Sequence, residues 1–283
     1  MSETNETPRR VALVTGCAAR GGIGAAIARR LARSGRDVMV TDIAAGGVRG
    51  ISDEEAEMLR KLEGDAAVEW RGLESLVGEL RAIGVKADWT LGDVTDEADA
   101  ERITRETNEK LGGLDILVNN ASAPQYFADI AEMELDGWNG VQAVNIRAPY
   151  LMAKHAVKYM RPGGWGRIIN IVSTMSEDGG HATQSAHTAS KAALAGFTKA
   201  IAQDLGPQGI TVNGVSPTAT LTDRGKAWAV SRFGENPDSG ATNVPMRRFG
   251  RPEDIAGMVN YLASEEAGFV SAQVIRVDGG SRI

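Results

Sequence analysis

Short apolar runs alternate with amphipathic segments along most of the chain. Seven apolar runs predict strands at residues 10–15, 37–42, 86–91, 114–119, 167–172, 210–215 and 274–277. Apolar positions three and four residues apart predict helices at residues 25–34, 73–83, 97–111, 138–160, 187–205 and 252–263. Strands that alternate with helices are typical of a parallel sheet covered on both faces. We therefore predict a single-domain α/β fold with a doubly wound parallel sheet of about seven strands.

Three segments depart from this alternation. Residues 1–9 are polar and predict a disordered N-terminus before a domain at 10–283. Residues 44–70 form an inserted segment with a predicted surface helix at 53–62; it is either a solvated insertion, a cover over one end of a ligand, or an oligomer contact. Residues 221–248 are predicted to be an irregular, mobile substrate flap. Pro149 predicts a kink within the long helix at 138–160.

Composition excludes several classes of partner. The 283 residues are 42% hydrophobic with a net charge of −6 and no basic block, so we expect no nucleic-acid partner. Cys17 is the single cysteine, which excludes an internal disulfide framework and favours a reducing compartment. The sequence has no apolar run of membrane-spanning length and no apolar signal core at the N-terminus. We therefore predict a cytoplasmic protein without a membrane partner, and we predict no metal site.

The turn after the first predicted strand is rich in glycine. Gly16, Gly22 and Gly24 would let the backbone approach a diphosphate at the start of the next helix. Asp42 ends the second strand, where a carboxylate can accept hydrogen bonds from both ribose hydroxyls of adenosine. The same carboxylate would repel a 2′-phosphate, so this Rossmann-type unit is predicted to bind NAD rather than NADP. The alternative is that Asp42 only caps a turn.

The stretch from Ser185 to Lys191 carries the candidate proton chemistry. His187 precedes Lys191 by four residues, so both lie on one face of the predicted helix. A nearby cation can set the pKa of a titratable ring that moves protons. On a helix, such a pair is more often a solvated surface pair, and this alternative stays open at this point.

A series of short motifs runs through the chain from residue 15 to residue 280. In order they are Thr15-Gly16, Gly22-Ile23-Gly24, Asp93-Val94, Asn119-Asn120-Ala121, Val144-Asn145-Ile146, Asn170-Ile171-Val172-Ser173, Ala189-Ser190-Lys191, Val212-Asn213, Pro217 to Thr222, Arg251-Pro252-Glu253-Asp254 and Val277-Asp278-Gly279-Gly280. Together they resemble the short-chain dehydrogenase/reductase family over about residues 10–280. The inserted segment resembles that of members that hold their nicotinamide cofactor tightly.

The resemblance implies roles for individual residues. Asn145 would hold a water in a proton relay, Ser173 would bind the substrate oxygen, and Lys191 would bind the nicotinamide ribose. The segment from Pro217 to Thr222 would bind the carboxamide of the nicotinamide. The predicted cofactor contacts are Gly16, Gly22, Ile23, Gly24, Asp42, Ile43, Asp93, Val94, Asn120, Ala121, Lys191, Pro217, Thr218, Thr220 and Thr222. Residues predicted by position to line a substrate pocket are Gln125, Tyr126, Met175, His181 and Trp228. The family also implies a homotetramer, or failing that a homodimer, and the predicted helices at 138–160 and 187–205 would form its contact.

Several positions depart from the family pattern. His187 stands where the family has its catalytic tyrosine, and five residues separate Gly16 from Gly22 where three are usual. Ser122 and Thr218 replace glycines.

Three functions remain open. The first is an NAD-dependent oxidoreductase that acts on a small alcohol, carbonyl or imine with His187 as acid/base. The second is a non-redox lyase, isomerase or dehalogenase that uses His187, His181 and Ser173. The third is a catalytically silent nucleotide-binding protein.

Overall fold

Seven parallel strands form one central sheet in the computed structural model, which describes residues 9–46, 57, 61 and 70–281. The strands are β1 (Val11–Thr15), β2 (Asp37–Asp42), β3 (Ala87–Leu91), β4 (Ile116–Asn119), β5 (Gly166–Ile171), β6 (Ile210–Pro217) and β7 (Val274–Val277). Their spatial order is β3-β2-β1-β4-β5-β6-β7, and each neighbouring pair is parallel. The predicted α/β architecture is confirmed.

Helices cover both faces of the sheet. They are α1 (Ile23–Arg33), α2 (Leu73–Ala82), α3 (Glu97–Leu111), α4 (Leu135–Gln142), α5 (Ala148–Met160), α6 (Met175–Asp178), α7 (Ser185–Leu205), α8 (Asp223–Phe233) and α9 (Pro252–Leu262). Within the described ranges, every helix is too short or too polar to cross a bilayer.

The alternation of side chains along each strand builds two separate cores. Ala12 and Val14 of β1 belong to a buried layer that includes residues of α1, α2 and α9. Val11 and Leu13 point to the opposite layer, which is shared with α3, α5 and the end of α7. Because both faces are covered, apolar residues are favoured on both faces of the strands, which explains their largely continuous apolar runs.

The strand order reverses direction between β1 and β4, which are neighbours in the sheet. In open parallel sheets, ligands bind beyond the carboxyl ends of the strands at this switch point. The loops that follow Thr15, Asp42, Asn119, Ile171 and Pro217 meet at this edge. The fold therefore assembles the candidate residues of five separate loops into one region.

The long helix predicted at 138–160 is interrupted just before Pro149. α4 ends at Gln142, a π-helical turn covers Ala143–Arg147, and α5 begins at Ala148. Pro149 follows Asn145 by four residues in a continuous helical path, and it has no N–H to donate to the Asn145 carbonyl. The interruption takes the form of a π-helical turn that contains Asn145.

The flap predicted to be irregular at 221–248 contains a helix, so that expectation is wrong for residues 223–233. Thr222 caps α8 by accepting a hydrogen bond from the Gly225 N–H at 3.2 Å. The flap also has a small core made of Leu221, Ala229, Ala241, Val244 and Phe249, with Phe233 packed against it. The predicted N-terminal disorder and the predicted helix at 53–62 fall outside the described residues, apart from 9, 57 and 61.

Candidate active site

Close backbone contacts shape the glycine-rich turn after β1. Gly16 has a φ of +74°, and a Cβ there would lie 2.8 Å from the Cα of Ala121. A Cβ on Gly24 would lie 2.3 Å from the Gly16 carbonyl oxygen. The N-cap residue of α1, Gly22, supplies no side-chain hydrogen bond. The turn therefore offers an unhindered backbone at a helix start, which suits a diphosphate.

The loop after β4 braces this turn. The Thr15 hydroxyl accepts hydrogen bonds from the N–H groups of Asn120 and Ala121, both at 3.0 Å. The Asn120 amide donates to the carbonyls of Thr15, at 2.8 Å, and Gly16, at 3.0 Å. The side chain of Asn120 thus fixes the glycine-rich turn, a role that was not predicted from local sequence patterns.

Asp42 reaches the same turn from the end of β2. One carboxylate oxygen accepts from the Ala18 N–H at 2.9 Å, and the other accepts from the Ile43 N–H at 2.8 Å. These bonds match the turn-capping alternative considered above. Each carboxylate oxygen can accept a further hydrogen bond, so ribose binding remains compatible with them.

Trp70, at the end of the inserted segment, also contacts the glycine-rich turn. Its indole N–H donates to the Ala18 carbonyl at 2.9 Å, and the Arg29 guanidinium lies 5.5 Å from the ring centroid. An isolated tryptophan at the end of the inserted segment carries no local signal for this contact. Sequence analysis therefore missed it.

Asp93, after β3, is engaged by its own turn. One of its carboxylate oxygens accepts from the Thr95 N–H at 2.9 Å and from the Thr95 hydroxyl at 2.7 Å. The neighbouring Val94 is buried. The second Asp93 oxygen could still accept a hydrogen bond from an adenine edge.

Lys191 lies almost completely inside the protein on α7. It is 3% exposed, and its Nζ donates to the Ile171 carbonyl at 2.8 Å. Burial lowers the pKa of Lys191 to about 8. The hydrogen bond ties the second turn of α7 to the end of β5, two residues before Ser173.

His187 is half-buried one turn before Lys191. Burial lowers its pKa to about 4, and the nearby Lys191 cation contributes a smaller effect in the same direction. The sequence indicates the Lys191 cation as a cause of a perturbed His187 pKa. Desolvation, which depends on the tertiary fold, is the larger cause of the lowered pKa. His187 therefore carries a neutral ring at pH 7.

Asn145 joins the π-helical turn to α7 and to the loop after β4. Its Nδ2 donates to the Ser190 hydroxyl at 2.9 Å, and that hydroxyl donates to the His187 carbonyl at 2.7 Å. Its Oδ1 accepts from the Ala123 N–H at 3.0 Å and from the Ser122 hydroxyl at 3.2 Å. The side chain of Asn145 therefore positions the His187–Lys191 turn.

Ser173 follows β5 directly after Val172. Its hydroxyl accepts from the Met175 N–H at 3.3 Å, at the start of α6. Arg276 of β7 holds α6 in place through Glu177 and Asp178, each at 2.9 Å. The short helix α6 was not predicted, because four residues are too few to show a helical period.

The segment after β6 runs from the sheet to the flap. The Pro217 carbonyl accepts from the Thr174 N–H at 3.1 Å, and the Thr220 hydroxyl donates to the Thr218 carbonyl at 2.9 Å. The Thr222 hydroxyl is the cap of α8. These bonds place the predicted carboxamide-binding segment beside the loop that carries Ser173.

The predicted substrate residues have separate environments. The ring of Tyr126 packs on Gly137, where a Cβ would lie 2.4 Å from it, and its hydroxyl accepts from the Glu134 N–H. Trp228 packs edge-on against Phe233 and Phe249, with ring centroids 5.6 and 6.1 Å away, and stays 45% exposed. Met175 begins α6, whereas Gln125 and His181 are exposed on loops. No single cluster unites these five side chains among the contacts of the described residues.

A hydrogen bond between Ala128 and Thr183 connects the loops that hold Gln125 and His181. The Ala128 N–H donates to the Thr183 carbonyl at 3.0 Å. The loops after β4 and β5 are thereby joined above the sheet edge. Within the described residues, no group of three or more His, Cys, Asp and Glu side chains is arranged to hold a metal ion.

The sequence matches known proteins over nearly its whole length. The family profile described as Enoyl-(Acyl carrier protein) reductase matches residues 46–282. A short-chain dehydrogenase/reductase of Hericium erinaceus is 37% identical over 272 residues, covering 95% of this chain and 96% of the relative.

Solved structures share the fold. A dehydrogenase/reductase from Sinorhizobium meliloti superposes with a TM-score of 0.78 at 35% identity, covering 97% of this chain and 95% of the other. A blue fluorescent protein from a metagenomic library, solved in complex with NADPH, has a TM-score of 0.78 at 34% identity and covers 97% and 98% of the two chains. Identity of this degree over nearly the full length agrees with the parallel sheet and the glycine-rich turn. The chain therefore belongs to the short-chain dehydrogenase/reductase family.

Proposed function

We propose that the protein is an NAD-dependent dehydrogenase that oxidises a small alcohol, with His187 as the proton acceptor. The observation that carries this proposal is the position of a neutral, half-buried imidazole one turn before a buried lysine. That lysine is bonded to the end of the strand that leads to Ser173. A ring that is uncharged at pH 7 can accept a proton from an alcohol without first losing one.

The turn at β1 fits a nicotinamide dinucleotide, which supplies the hydride acceptor when bound. The backbones of Gly16 and Gly24 leave no room for side chains and would hold the diphosphate. Asp42 stands at the edge of this turn, where its charge would oppose a 2′-phosphate. The similar blue fluorescent protein was solved with NADPH, so the preference of this chain for NAD rests on Asp42.

Each remaining group has one task in the proposed reaction. Ser173 would donate a hydrogen bond to the substrate oxygen, and His187 would take the hydroxyl proton as the C–H bond gives up its hydride. Because His187 is partly exposed and its pKa is lowered to about 4, the proton would pass readily to water. An imidazole that is neutral at pH 7 is a poor proton donor, which favours alcohol oxidation over carbonyl or imine reduction.

NADH formation across a panel of primary and secondary alcohols tests this proposal. Wild-type protein should produce NADH with at least one alcohol, and His187→Ala should lower the rate by roughly 10²-fold or more. NAD affinity should change little, because Lys191 and Asp42 are retained. His187→Gln should match His187→Ala, since an amide can form hydrogen bonds but cannot carry a proton.

Two results would contradict the proposal. Wild-type rates in His187→Ala would remove His187 from the chemistry and direct attention to His181. NAD binding without NADH formation from any alcohol would favour a non-redox lyase, isomerase or dehalogenase, or a silent nucleotide-binding protein.

A further inference from the structure

The first turn of α8 is hydrogen-bonded to the glycine-rich turn. The Gly21 N–H donates to Oδ2 of Asp223 at 3.0 Å, across 202 positions of the chain. Asp223 is 5% exposed, so this bond lies almost completely out of water. A hydrogen bond to a carboxylate is stronger, when the carboxylate is ionised, than one between neutral groups.

The absence of a side chain at Gly21 is explained by this contact. A Cβ at Gly21 would lie 2.1 Å from Oδ1 of Asp223. Gly21 is not among the glycines with positive φ, so its backbone conformation is open to other residues. The space that Asp223 occupies, rather than the backbone angle, requires glycine here.

Asp223 belongs to a flap with its own packing. Its neighbour Thr222 caps α8, and behind the helix lies the small core that includes Leu221 and Phe249. Asp238 pairs with Arg251 at the start of α9 and anchors the far side of the flap. The start of the flap, which follows the predicted carboxamide-binding segment, is attached to the glycine-rich turn through Asp223.

We propose that the Asp223–Gly21 hydrogen bond is a latch that holds the flap over the dinucleotide site and sets the rate of cofactor exchange. This inference rests on the proposed NAD site, because the two ends of the latch come from segments that flank it. Asp223 is a positioning residue that contacts the turn rather than the reacting atoms. Lids that close over a bound ligand commonly limit its release.

A latch and an electrostatic repulsion predict opposite changes in the rate of cofactor release. An ionised Asp223 carboxylate would place a negative charge close to a turn that would hold a diphosphate. If repulsion were its main effect, removing the charge would slow cofactor release. If the carboxylate acts as a latch, removing it accelerates release.

Stopped-flow measurement of NADH release, followed by nucleotide fluorescence, distinguishes these effects. Asp223→Ala and Gly21→Ala should each raise the release rate about tenfold, which corresponds to about 1.4 kcal/mol. The double variant should release NADH no faster than either single variant, because both substitutions break one bond. Glu235→Ala, which removes an exposed carboxylate of the same flap, is the matched control and should release NADH at the wild-type rate.

Hydrogen exchange in the cofactor-free protein provides a second measurement that needs no turnover. Exchange in residues 221–233 should accelerate in Asp223→Ala and stay unchanged in Glu235→Ala. Unchanged or slower NADH release in Asp223→Ala would overturn the latch, as would additive effects in the double variant. A protein that binds and releases NADH in this way but oxidises no alcohol would contradict the proposed reaction and leave the latch standing.

Discussion

The amide nitrogen of Asn145 and the hydroxyl of Ser190 are joined by a hydrogen bond of 2.9 Å in the protein interior, where each residue is at most 1% exposed. Ser190 immediately precedes Lys191, and its hydroxyl also bonds to the His187 carbonyl. One buried contact therefore fixes the helical turn that carries both candidate catalytic side chains. Its loss would disturb stability and catalysis together.

Ser190→Ala should destabilise the protein by about 1–3 kcal/mol, because the buried Asn145 amide loses its acceptor. Turnover should also fall, while the affinity for NADH should change less than turnover does. Thermal unfolding and steady-state kinetics measure the two effects. Ser122→Ala is the control: its exposed hydroxyl bonds to the same Asn145 side chain, whose Oδ1 keeps the bond from Ala123. Equal destabilisation in both variants would contradict a special role for the Asn145–Ser190 bond.

The pH profile of alcohol oxidation should be flat from about pH 5.5 to pH 7, because the pKa of His187 is lowered to about 4. An unperturbed imidazole would instead give a rise near pH 6.5. Activity should fall above about pH 8 as Lys191, whose pKa burial lowers to about 8, loses its proton. The measurement is kcat/KM against pH. A rise centred near pH 6.5 would show that His187 is not desolvated.

Replacing Lys191 separates the two causes of the low His187 pKa. Lys191→Ala should raise that pKa only modestly, because burial is the larger cause and the cation the smaller one. The variant should also bind NAD more weakly and lose the fall in activity above pH 8. NMR titration of the His187 ring gives the pKa directly. A return of the pKa to the free imidazole value would show that the cation, rather than burial, dominates.

Acid should destabilise the wild-type protein more than His187→Gln between pH 6.5 and pH 4. In this window the unfolded chain binds a proton at His187 and the folded chain does not, so the free energy of unfolding falls as the pH falls. Allowing for the partial exposure of the ring, we expect a difference of roughly 1–2 kcal/mol. Denaturant unfolding at several pH values measures it. Parallel pH dependences of the two proteins would contradict the assigned burial.

Asp42→Ala should remove most of the discrimination against NADP, because the opposing charge is lost. Asp42→Asn is the matched variant: it removes the charge but keeps an oxygen that can accept from the Ala18 N–H. Both variants should gain NADP affinity, and Asp42→Asn should be the more stable. Calorimetric titration with each cofactor measures this. Equal affinity of the wild type for NAD and NADP would contradict the role of Asp42.

We expect a homotetramer, or failing that a homodimer, formed through α5 and α7. α7 exposes Ala189, Ala192 and Ala193, and Tyr150 of α5 packs edge-on against Phe197 with the ring centroids 6.4 Å apart. Ala193→Arg should reduce the mass measured by light scattering, because a charged side chain would be buried in the contact. A monomeric wild type at micromolar concentration would refute both assemblies.

Local patterns in the sequence were sufficient to predict the sheet, the glycine-rich turn and the spacing of His187 and Lys191. These features depend on residues a few positions apart, whose periodicity and turn chemistry act within one element. The order of the strands was not predicted, although short crossovers allow few arrangements of a parallel sheet. The interruption of one helix and the presence of another were not predicted, since the apolar periodicity missed the π-helical turn at Ala143–Arg147 and the helix α8.

Tertiary structure alone decided how the candidate residues are held. The Asp223–Gly21, Asn145–Ser190 and Lys191–Ile171 hydrogen bonds join positions 20 to 202 residues apart, and no local period encodes such pairs. The pKa of His187 is likewise set mainly by desolvation, which requires the surrounding elements to be in place. The sequence by itself determined which chemical groups are present and which elements carry them. Burial and long-range contacts determined their protonation, their orientation and the attachment of the flap to the glycine-rich turn.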